Sequence, residues 1–314
     1  MRWLGPLRSG SEPADGRAVL LRRPNIRAER QLSPTSSWKV IMRRFAESDF
    51  KRIRQPAVSG MFYPADEAAL RQSVRDCLAA AQPDPAVSPK AIIAPHAGYV
   101  YSGPIAGSAF AHFLSQRKEI RRIILVGPSH RIPFNGLAIS GADAFKTPLG
   151  WVLLDKSAQE SIRRLPQVRV SDQAHSTEHS LEVELPFLQE TLEEFTLVPL
   201  VVGDATAEEI CETLDLLWGG AETRIVVSSD LSHYLNYEAA RRSDRAAAQA
   251  IEHLEPQELG VEQACGCQPV RGLLLAARRH GLKARTVDLR NSGDTAGSKD
   301  RVVGYGAFIF SDIL

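Results

Sequence analysis

Three short apolar runs, each cut off sharply by proline, glycine or polar residues, constrain the fold of this 314-residue chain most strongly. They cover residues 91–94, 122–126 and 224–228, with helix-like stretches between them. Continuous apolar runs of this length are typical of strands buried on both faces in a parallel sheet. We therefore predict an α/β fold of three layers, with a mostly parallel central sheet and helices on both faces.

Ligand-type side chains follow each of these runs directly. His96 comes after the first, His130 after the second, and Asp230 and His233 after the third. Parallel neighbouring strands place their carboxyl ends side by side, so we expect these residues to converge. Imidazole binds metals and titrates near neutral pH. A single histidine after a strand is more often a satisfied loop or core residue, and the alternative is that the rings bond one another and the backbone.

Residues 172–188 carry a second concentration of polar groups. We predict a helix that begins at about Ser176, with His175, Glu178 and His179 in or near its first turn. A helix N-terminus favours an anion or a metal-bound substrate. The alternative for Glu178 is helix capping and surface charge.

The four cysteines are Cys77, Cys211, Cys265 and Cys267. No secretory signal accompanies them, so we expect reduced thiols and a cytoplasmic protein. Cys265 and Cys267 precede a predicted helix whose N-terminus would favour either thiolate, and the residues alone do not separate them. Their spacing is not that of a zinc ribbon.

Charge is distributed unevenly along the chain. Residues 1–55 hold 13 Lys and Arg against 5 Asp and Glu, although the whole chain carries only +1. We predict that residues 1–50 form a disordered basic extension, with a targeting or nucleic-acid arm, or a true start near Met42, as alternatives. Residues 54–314 are expected to form a single α/β domain. No apolar run approaches the roughly 20 residues that span a bilayer, and we expect no membrane or nucleic-acid partner.

Five blocks, taken together and in order, resemble the signature of the Memo family, whose bacterial and archaeal members are called AmmeMemoRadiSam system protein B. The blocks are Ala94-Pro-His-Ala-Gly-Tyr99, Gly127-Pro-Ser-His130, Glu178-His-Ser-Leu-Glu182, Ser228-Ser-Asp-Leu-Ser-His233 and Cys265-Gly266. The resemblance runs from about Arg54 to the C-terminus. It implies a fold similar to that of the class III extradiol dioxygenases (LigB-type), which hold non-haem iron on two histidines and a glutamate.

By that resemblance, His96, His130 and Cys265 would be metal ligands. His233 and Asp230 would be catalytic, with His233 as the acid/base residue and Asp230 in the same pocket. Tyr99, Glu178 and His179 are further pocket candidates. Arg131 stands where some relatives carry another histidine. Two imidazoles and a thiolate suit iron or copper, with zinc as a third candidate. Because a thiolate ligand is oxidisable, the resemblance does not by itself imply ring-opening dioxygenase activity.

Two functional hypotheses stay open at this point. One is a metalloenzyme with oxygen-dependent or redox chemistry on an unidentified small molecule. The other is a non-catalytic protein that binds iron or copper, or that serves as a partner of the radical-SAM and AMMECR-type proteins which the family name implies. A hydrolase using Cys265 and His233 is a minor variant, since no sign of an oxyanion hole is seen.

Overall fold

The computed structural model describes residues 47–312. The prediction of a disordered extension over residues 1–50 therefore lies almost entirely outside the described residues. Twelve β-strands are found in the described part: β1 Ile53–Arg54, β2 Ala91–Ala94, β3 Arg122–Pro128, β4 Leu137–Ile139, β5 Ala144–Thr147, β6 Gly150–Leu153, β7 Val168–Val170, β8 Thr196–Val202, β9 Thr223–Ser228, β10 His233–Leu235, β11 Lys283–Asn291 and β12 Val302–Ser311.

Eight α-helices lie between these strands in the same part of the chain. They are α1 Glu67–Ala80, α2 Tyr99–Phe110, α3 Lys156–Ile162, α4 Asp172–Ser176, α5 Leu185–Thr191, α6 Ala207–Leu217, α7 Tyr237–Glu252 and α8 Cys267–Arg279. Several of these helices begin at a capping side chain that can be recognised in the sequence. Asp66 accepts from the amide of Ala69 at the start of α1, and Thr206 forms a capping box with Glu209 at the start of α6.

The main sheet has nine strands in the order β10-β12-β2-β9-β3-β8-β4-β7, with β11 paired to β12. Its centre, β2-β9-β3-β8, is parallel throughout, while β12 and β4 join it antiparallel. A second, smaller sheet has the strand order β1-β5-β6 and shares no strand with the main sheet. The predicted α/β class with a largely parallel sheet is confirmed, and β2, β9 and β3 are adjacent as expected.

Helices cover both faces of the main sheet. Side chains of β2 alternate between two apolar clusters, with Ile92 in the one that contains α1, α2 and α5, and Ile93 in the one that contains α3, α6, α7 and α8. This alternation follows from the two-residue period of a strand, and it makes the central strands apolar on both faces. The centre of the sheet is thus apolar, and the polar groups considered below lie at the strand ends.

One prediction about residues 172–188 is wrong in its boundaries. The chain does not run as one helix from Ser176. The short helix α4 ends there, a 3₁₀ turn spans Glu182–Glu184, and α5 begins only at Leu185. The reason is Glu182, which turns inward to meet the segment after β1 and so interrupts the helical path.

Glu182 is the anchor of that N-terminal segment. Its side chain is fully buried and accepts from the guanidinium of Arg54, the amides of Ala57 and Val58, and the hydroxyl of Tyr63. Arg54 also donates to the carbonyl oxygens of His175 and Glu178. Every charge in this group is therefore compensated, and the group ties residues 54–63 to the chain that carries Glu178.

Replacing Glu182 by Gln should reduce the free energy of unfolding by about 3–5 kcal/mol, because Arg54 would be left buried without a counter-charge. The measurement is urea denaturation of the full chain. Glu160→Gln is the matched control: Glu160 pairs with Arg163 at the surface, and its loss should cost less than about 1 kcal/mol. Equal losses for the two variants would contradict the anchoring role of Glu182.

Candidate metal centre

The carboxyl ends of β2, β3 and β9 bring three chain-distant groups together. His96 Nε2 lies 3.3 Å from Cys265 Sγ, and the ring of His130 lies 5.2 Å from that of His96 between centroids. One ligand atom from each of His96, His130 and Cys265 falls within 4.8 Å of the other two. His96 is buried, Cys265 is partly buried and His130 is exposed. These three side chains could hold one metal ion.

A hydrogen-bond chain fixes the orientation and the tautomer of His96. Its Nδ1 lies 2.7 Å from Ser228 Oγ, which in turn lies 2.7 Å from the carbonyl oxygen of Ser180 and 2.8 Å from Glu184 Oε1. Burial raises the pKa of Glu184 well above its usual range, and its Oε1 accepts from Ser228 Oγ. The single hydroxyl proton of Ser228 is thus directed at the carbonyl oxygen of Ser180 or at Glu184, and not at His96. Nδ1 of His96 must then donate, which leaves Nε2 unprotonated, with its lone pair toward the sulfur of Cys265.

Glu178 fixes the orientation and the tautomer of His130. One carboxylate oxygen, Oε1, lies 2.9 Å from His130 Nδ1, and the other accepts from the backbone amide of His130. Burial alone would raise the pKa of Glu178, but the bonds from His130 and from the amides of Ser180 and His130 outweigh it and lower the pKa to about 2. An ionised carboxylate can only accept, so His130 carries its proton on Nδ1 and offers Nε2.

Cys265 reaches the cluster because the chain before α8 packs closely on the end of β9. The amide of Cys265 donates to the carbonyl of Asp230, and the amide of Gly266 donates to Ser229 Oγ. Burial raises the pKa of the Cys265 thiol to about 12, with the nearby Asp230 carboxyl acting in the same direction. Without a cation the thiol is therefore neutral, and a metal ion would replace its proton. Two neutral imidazoles and one thiolate form a donor set that fits a transition metal.

Cys267 does not belong to the group of His96, His130 and Cys265. Its sulfur is buried and donates to the carbonyl oxygen of Leu259 at 3.2 Å. The geometry thus separates the two cysteines that the residues alone left equivalent. A cleft of about 490 Å³ opens beside both, walled largely by apolar side chains that include Pro128, Phe134 and Val261.

The remaining predicted site residues fall into two groups. His179 stacks on His130 at 4.5 Å between centroids and packs against Phe62, and burial lowers its pKa to about 4. Together with Glu178 and His130 it forms a second group of ligand-type atoms, but His130 Nδ1 is already committed to Glu178. His179 therefore completes the wall of the site.

Asp230 and Tyr99 serve mainly as supports. Asp230 Oδ1 accepts from the backbone amide of His96 at 2.8 Å, and burial raises its pKa to about 7. Tyr99 lies in the core with its hydroxyl donating to the carbonyl of Val183, so its placement favours a structural role over the pocket role predicted from its motif. Sequence reasoning missed Ser228 and Glu184. The one signal for them in the sequence is Glu184, an acidic residue among apolar neighbours, which indicates a buried carboxyl group with a polar partner.

His233 lies on the short edge strand β10, within electrostatic range of His96. Its Nδ1 donates to the carbonyl of Leu231 at 2.8 Å, so its Nε2 is the proton-accepting atom. Burial lowers the pKa of His233 below its ordinary value of 6.5 and outweighs the hydrogen bond to Leu231, which keeps the ring mainly neutral near pH 7. The next residue, Tyr234, has φ of 58°, a strained conformation for tyrosine, and such strain is often found at functional sites.

The fold and these side chains define an α/β protein with a His/His/Cys group able to hold a metal ion at one edge of its central sheet. Comparison with known proteins identifies the family of the chain. The family model described as "Memo-like protein" matches residues 54–309. The chain is 37% identical to a MEMO1 family protein of Aquifex aeolicus, with 82% of this chain and 99% of that protein covered. It is 35% identical to one of Sulfolobus acidocaldarius, with 83% and 100% covered, and 36% identical to one of Aeropyrum pernix, with 82% and 99% covered.

The chain therefore belongs to the Memo family, as its signature blocks predicted. None of its described helices combines the length and apolar character needed to cross a membrane.

Gly266 is predicted to set the position of Cys265. A Cβ at this residue would lie 2.6 Å from Ser229 Cβ and 2.9 Å from the carbonyl oxygen of Ser228, so Gly266→Ala should push the loop and the sulfur away from His96. We expect metal affinity to fall by about 10–100-fold, as for loss of a group that orients a ligand. Competition against a chromophoric chelator measures this. Gly260→Ala, whose Cβ would meet only Gln263 at 3.3 Å, should bind like the wild type. Equal affinities in the two variants would refute the prediction.

Asp244 gives a pH-dependent prediction. It accepts from the amide of Ser232, next to His233, and burial raises its pKa to about 6 against an ordinary value near 4. The folded chain thus holds this proton more tightly than the unfolded chain, and its contribution to stability is lost as pH rises from about 4 to about 6. Asp244→Asn should stabilise the protein by about 1–3 kcal/mol at pH 7 and by almost nothing at pH 4.

Denaturant unfolding at both pH values tests this, with the exposed Glu262→Gln as the control. A gain that is the same at pH 4 and pH 7 would show that burial of the Asp244 charge is not its cause.

Proposed function

We propose that this chain binds a redox-active transition metal, iron or copper with zinc as a third candidate, through His96, His130 and Cys265. The observation that carries the proposal is the unprotonated Nε2 of His96, 3.3 Å from the sulfur of Cys265, with its other nitrogen held by Ser228. Sulfur selects iron, copper or zinc over magnesium or calcium, which prefer oxygen ligands.

We further propose that the bound metal serves an oxidoreductase reaction. Iron or copper would supply a Lewis-acidic centre that can change its oxidation state. The residues around it supply the rest. Glu178 and Ser228 hold the two imidazoles in register, and Asp230 fixes the backbone of His96. His233 accepts or returns a proton at Nε2.

A non-catalytic role is the alternative, since a thiolate ligand is easily oxidised and suits a protein that stores or delivers copper or iron. The position of His233 near the ligand histidines favours the enzyme hypothesis, because a metal carrier has no need of a neutral base beside its metal. A cytoplasmic location stays a prediction from the cysteine usage, and a partnership with radical-SAM and AMMECR-type proteins stays a prediction of the family resemblance.

Cys265→Ser and Cys267→Ser form a matched pair that tests the ligand set. After anaerobic loading with Fe(II) or Cu(I) and gel filtration, the wild type should retain about one metal ion per chain. Cys265→Ser should bind at least about tenfold more weakly. Cys267→Ser should bind like the wild type, since its hydroxyl can still donate to Leu259. Equal retention by both variants would remove Cys265 from the site.

His233→Ala separates the two functions. Both hypotheses predict that this variant retains the metal, since His233 is outside the ligand set. The enzyme hypothesis adds that consumption of O₂ by the loaded protein with a reductant falls at least about a hundredfold, the usual contribution of a positioned acid/base group. Wild-type protein that turns over no faster than His233→Ala would support the carrier.

A further inference from the structure

The cleft beside Cys265 adjoins the candidate metal centre. Its volume is about 490 Å³, within the range of pockets that hold small molecules. Cys265 itself lines the cleft, and Ser129, another lining residue, directly precedes His130. The cleft also lies where β3 and β8 end, at the edge of an α/β sheet where ligands bind. A molecule held there would lie beside a metal ion bound by Cys265.

One wall of the cleft is fixed by hydrogen bonds within the chain. The amide of Ser129 donates to the carbonyl of Val202 at 2.8 Å, and the Ser129 hydroxyl donates to a carbonyl of its own loop at 2.6 Å. Further along, the amide of Asp204 donates to the carbonyl of Phe134 at 2.7 Å. A Cβ on Gly203 would lie 2.0 Å from that same carbonyl oxygen, so this close approach requires glycine.

The other wall comes from the loop before α8 and the first residues of that helix, and it is also held by internal bonds. The carbonyl of Leu259 accepts from Cys267 Sγ at 3.2 Å and from Arg271 Nε at 2.9 Å. The amide of Gly260 donates to Gln263 Oε1 at 2.7 Å. The cleft is therefore formed before any ligand arrives, which lowers the entropic cost of binding.

The lining of the cleft is mainly apolar. Val202 and Ala264 are buried side chains of this lining, whereas Val261 is 68% exposed to solvent. Covering apolar surface of this kind is favoured by the hydrophobic effect. None of the described lining residues is Lys, Arg or His, and Asp204 is the one acidic residue among them. An uncharged, largely apolar molecule fits this lining better than an anion does.

Two carboxamides add a polar element to the cleft. Asn135 and Gln268 are both lining residues, and the side chain of neither makes a hydrogen bond within the described part of the chain. The NH₂ group of a carboxamide can donate to a carbonyl or hydroxyl oxygen. Small-molecule pockets typically combine an apolar lining with a few such polar groups, which orient the ligand.

We propose that this cleft is the substrate pocket of the metal centre and takes an uncharged small molecule with a bulky apolar body and one carbonyl or hydroxyl oxygen. The oxygen binds the carboxamide of Gln268, and the apolar body lies against Phe134 and Val261. This assignment rests on the function proposed above, whereas the cleft is formed without a metal ion, so the two are separable by experiment.

Prodan, an uncharged naphthalene with one ketone, is a suitable probe because its emission shifts to the blue in an apolar site. The metal-free full chain, at up to about 1 mM, is titrated into a low fixed concentration of prodan, and we expect saturable binding with a Kd of about 0.2 mM or tighter. The naphthoate that carries a carboxylate in place of the ketone should bind at least about tenfold more weakly, because its charge would lose water without gaining a cation.

Variants of the lining identify the site. Val261→Asp places a charge against the apolar body and should weaken prodan binding at least about fivefold. Val170→Asp makes the same change at another exposed valine, on the edge strand β7 away from the cleft, and should bind prodan like the wild type. Gln268→Ala should weaken binding about three- to tenfold through the loss of one hydrogen bond.

Loading with Co(II) or Zn(II) tests whether the bound probe lies beside the metal. Co(II) absorbs visible light and quenches a nearby fluorophore, whereas Zn(II) does not. Bound prodan should lose most of its emission in the Co(II)-loaded chain and keep it in the Zn(II)-loaded chain.

The proposal is overturned if prodan does not saturate, or if Val261→Asp or Gln268→Ala binds it like the wild type. It is equally overturned if the naphthoate matches prodan, or if retained Co(II) leaves the emission unchanged. A chain that retains no metal ion but binds prodan with the expected pattern of variants would refute the metal function proposed above and support the ligand class of the cleft.

Discussion

The parallel pairing of β2, β9 and β3 is the constraint on which the rest of the structure depends. Because these strands run in the same direction and lie side by side, three loops that are far apart in sequence leave the sheet at one edge. His96 and His130 come from the two outer strands of this trio, and the loop after β9 docks Cys265 between them through backbone bonds to Asp230 and Ser229. Because the centre of the sheet is apolar on both faces, this edge can be polar without weakening the core.

Two buried carboxyl groups then decide what the edge can bind. Burial raises the pKa of Glu184 well above its usual range, and Glu184 accepts from Ser228 Oγ. Glu178 receives several N–H donors, so it stays ionised and can only accept. Glu184 acts on His96 through the hydroxyl of Ser228, and Glu178 binds His130 directly. Both arrangements leave Nε2 of the imidazole unprotonated. Orientation of this kind is typical of metal-binding histidines.

Much of the fold could be predicted from the sequence, because its central strands are short apolar runs with sharp ends. The positions of His96 and His130 followed from the same signal. Cys265 did not: two thiols separated by one glycine look alike until the close approach of Gly266 to Ser229 is known. The predicted helix from Ser176 is wrong in its boundaries, because the buried ion pair of Glu182 with Arg54 outweighs the local helical preference. Tyr99 belongs to a motif near the site, yet its hydroxyl is used in the core, and a motif alone gives no direction for a side chain.

X-ray absorption by the anaerobically loaded wild-type protein tests the central claim most directly, because it counts the atoms bound to the metal. We expect one sulfur at about 2.3 Å together with imidazole nitrogens at about 2.0 Å. A spectrum with nitrogen and oxygen neighbours only, with Cys265 intact and reduced, would contradict it.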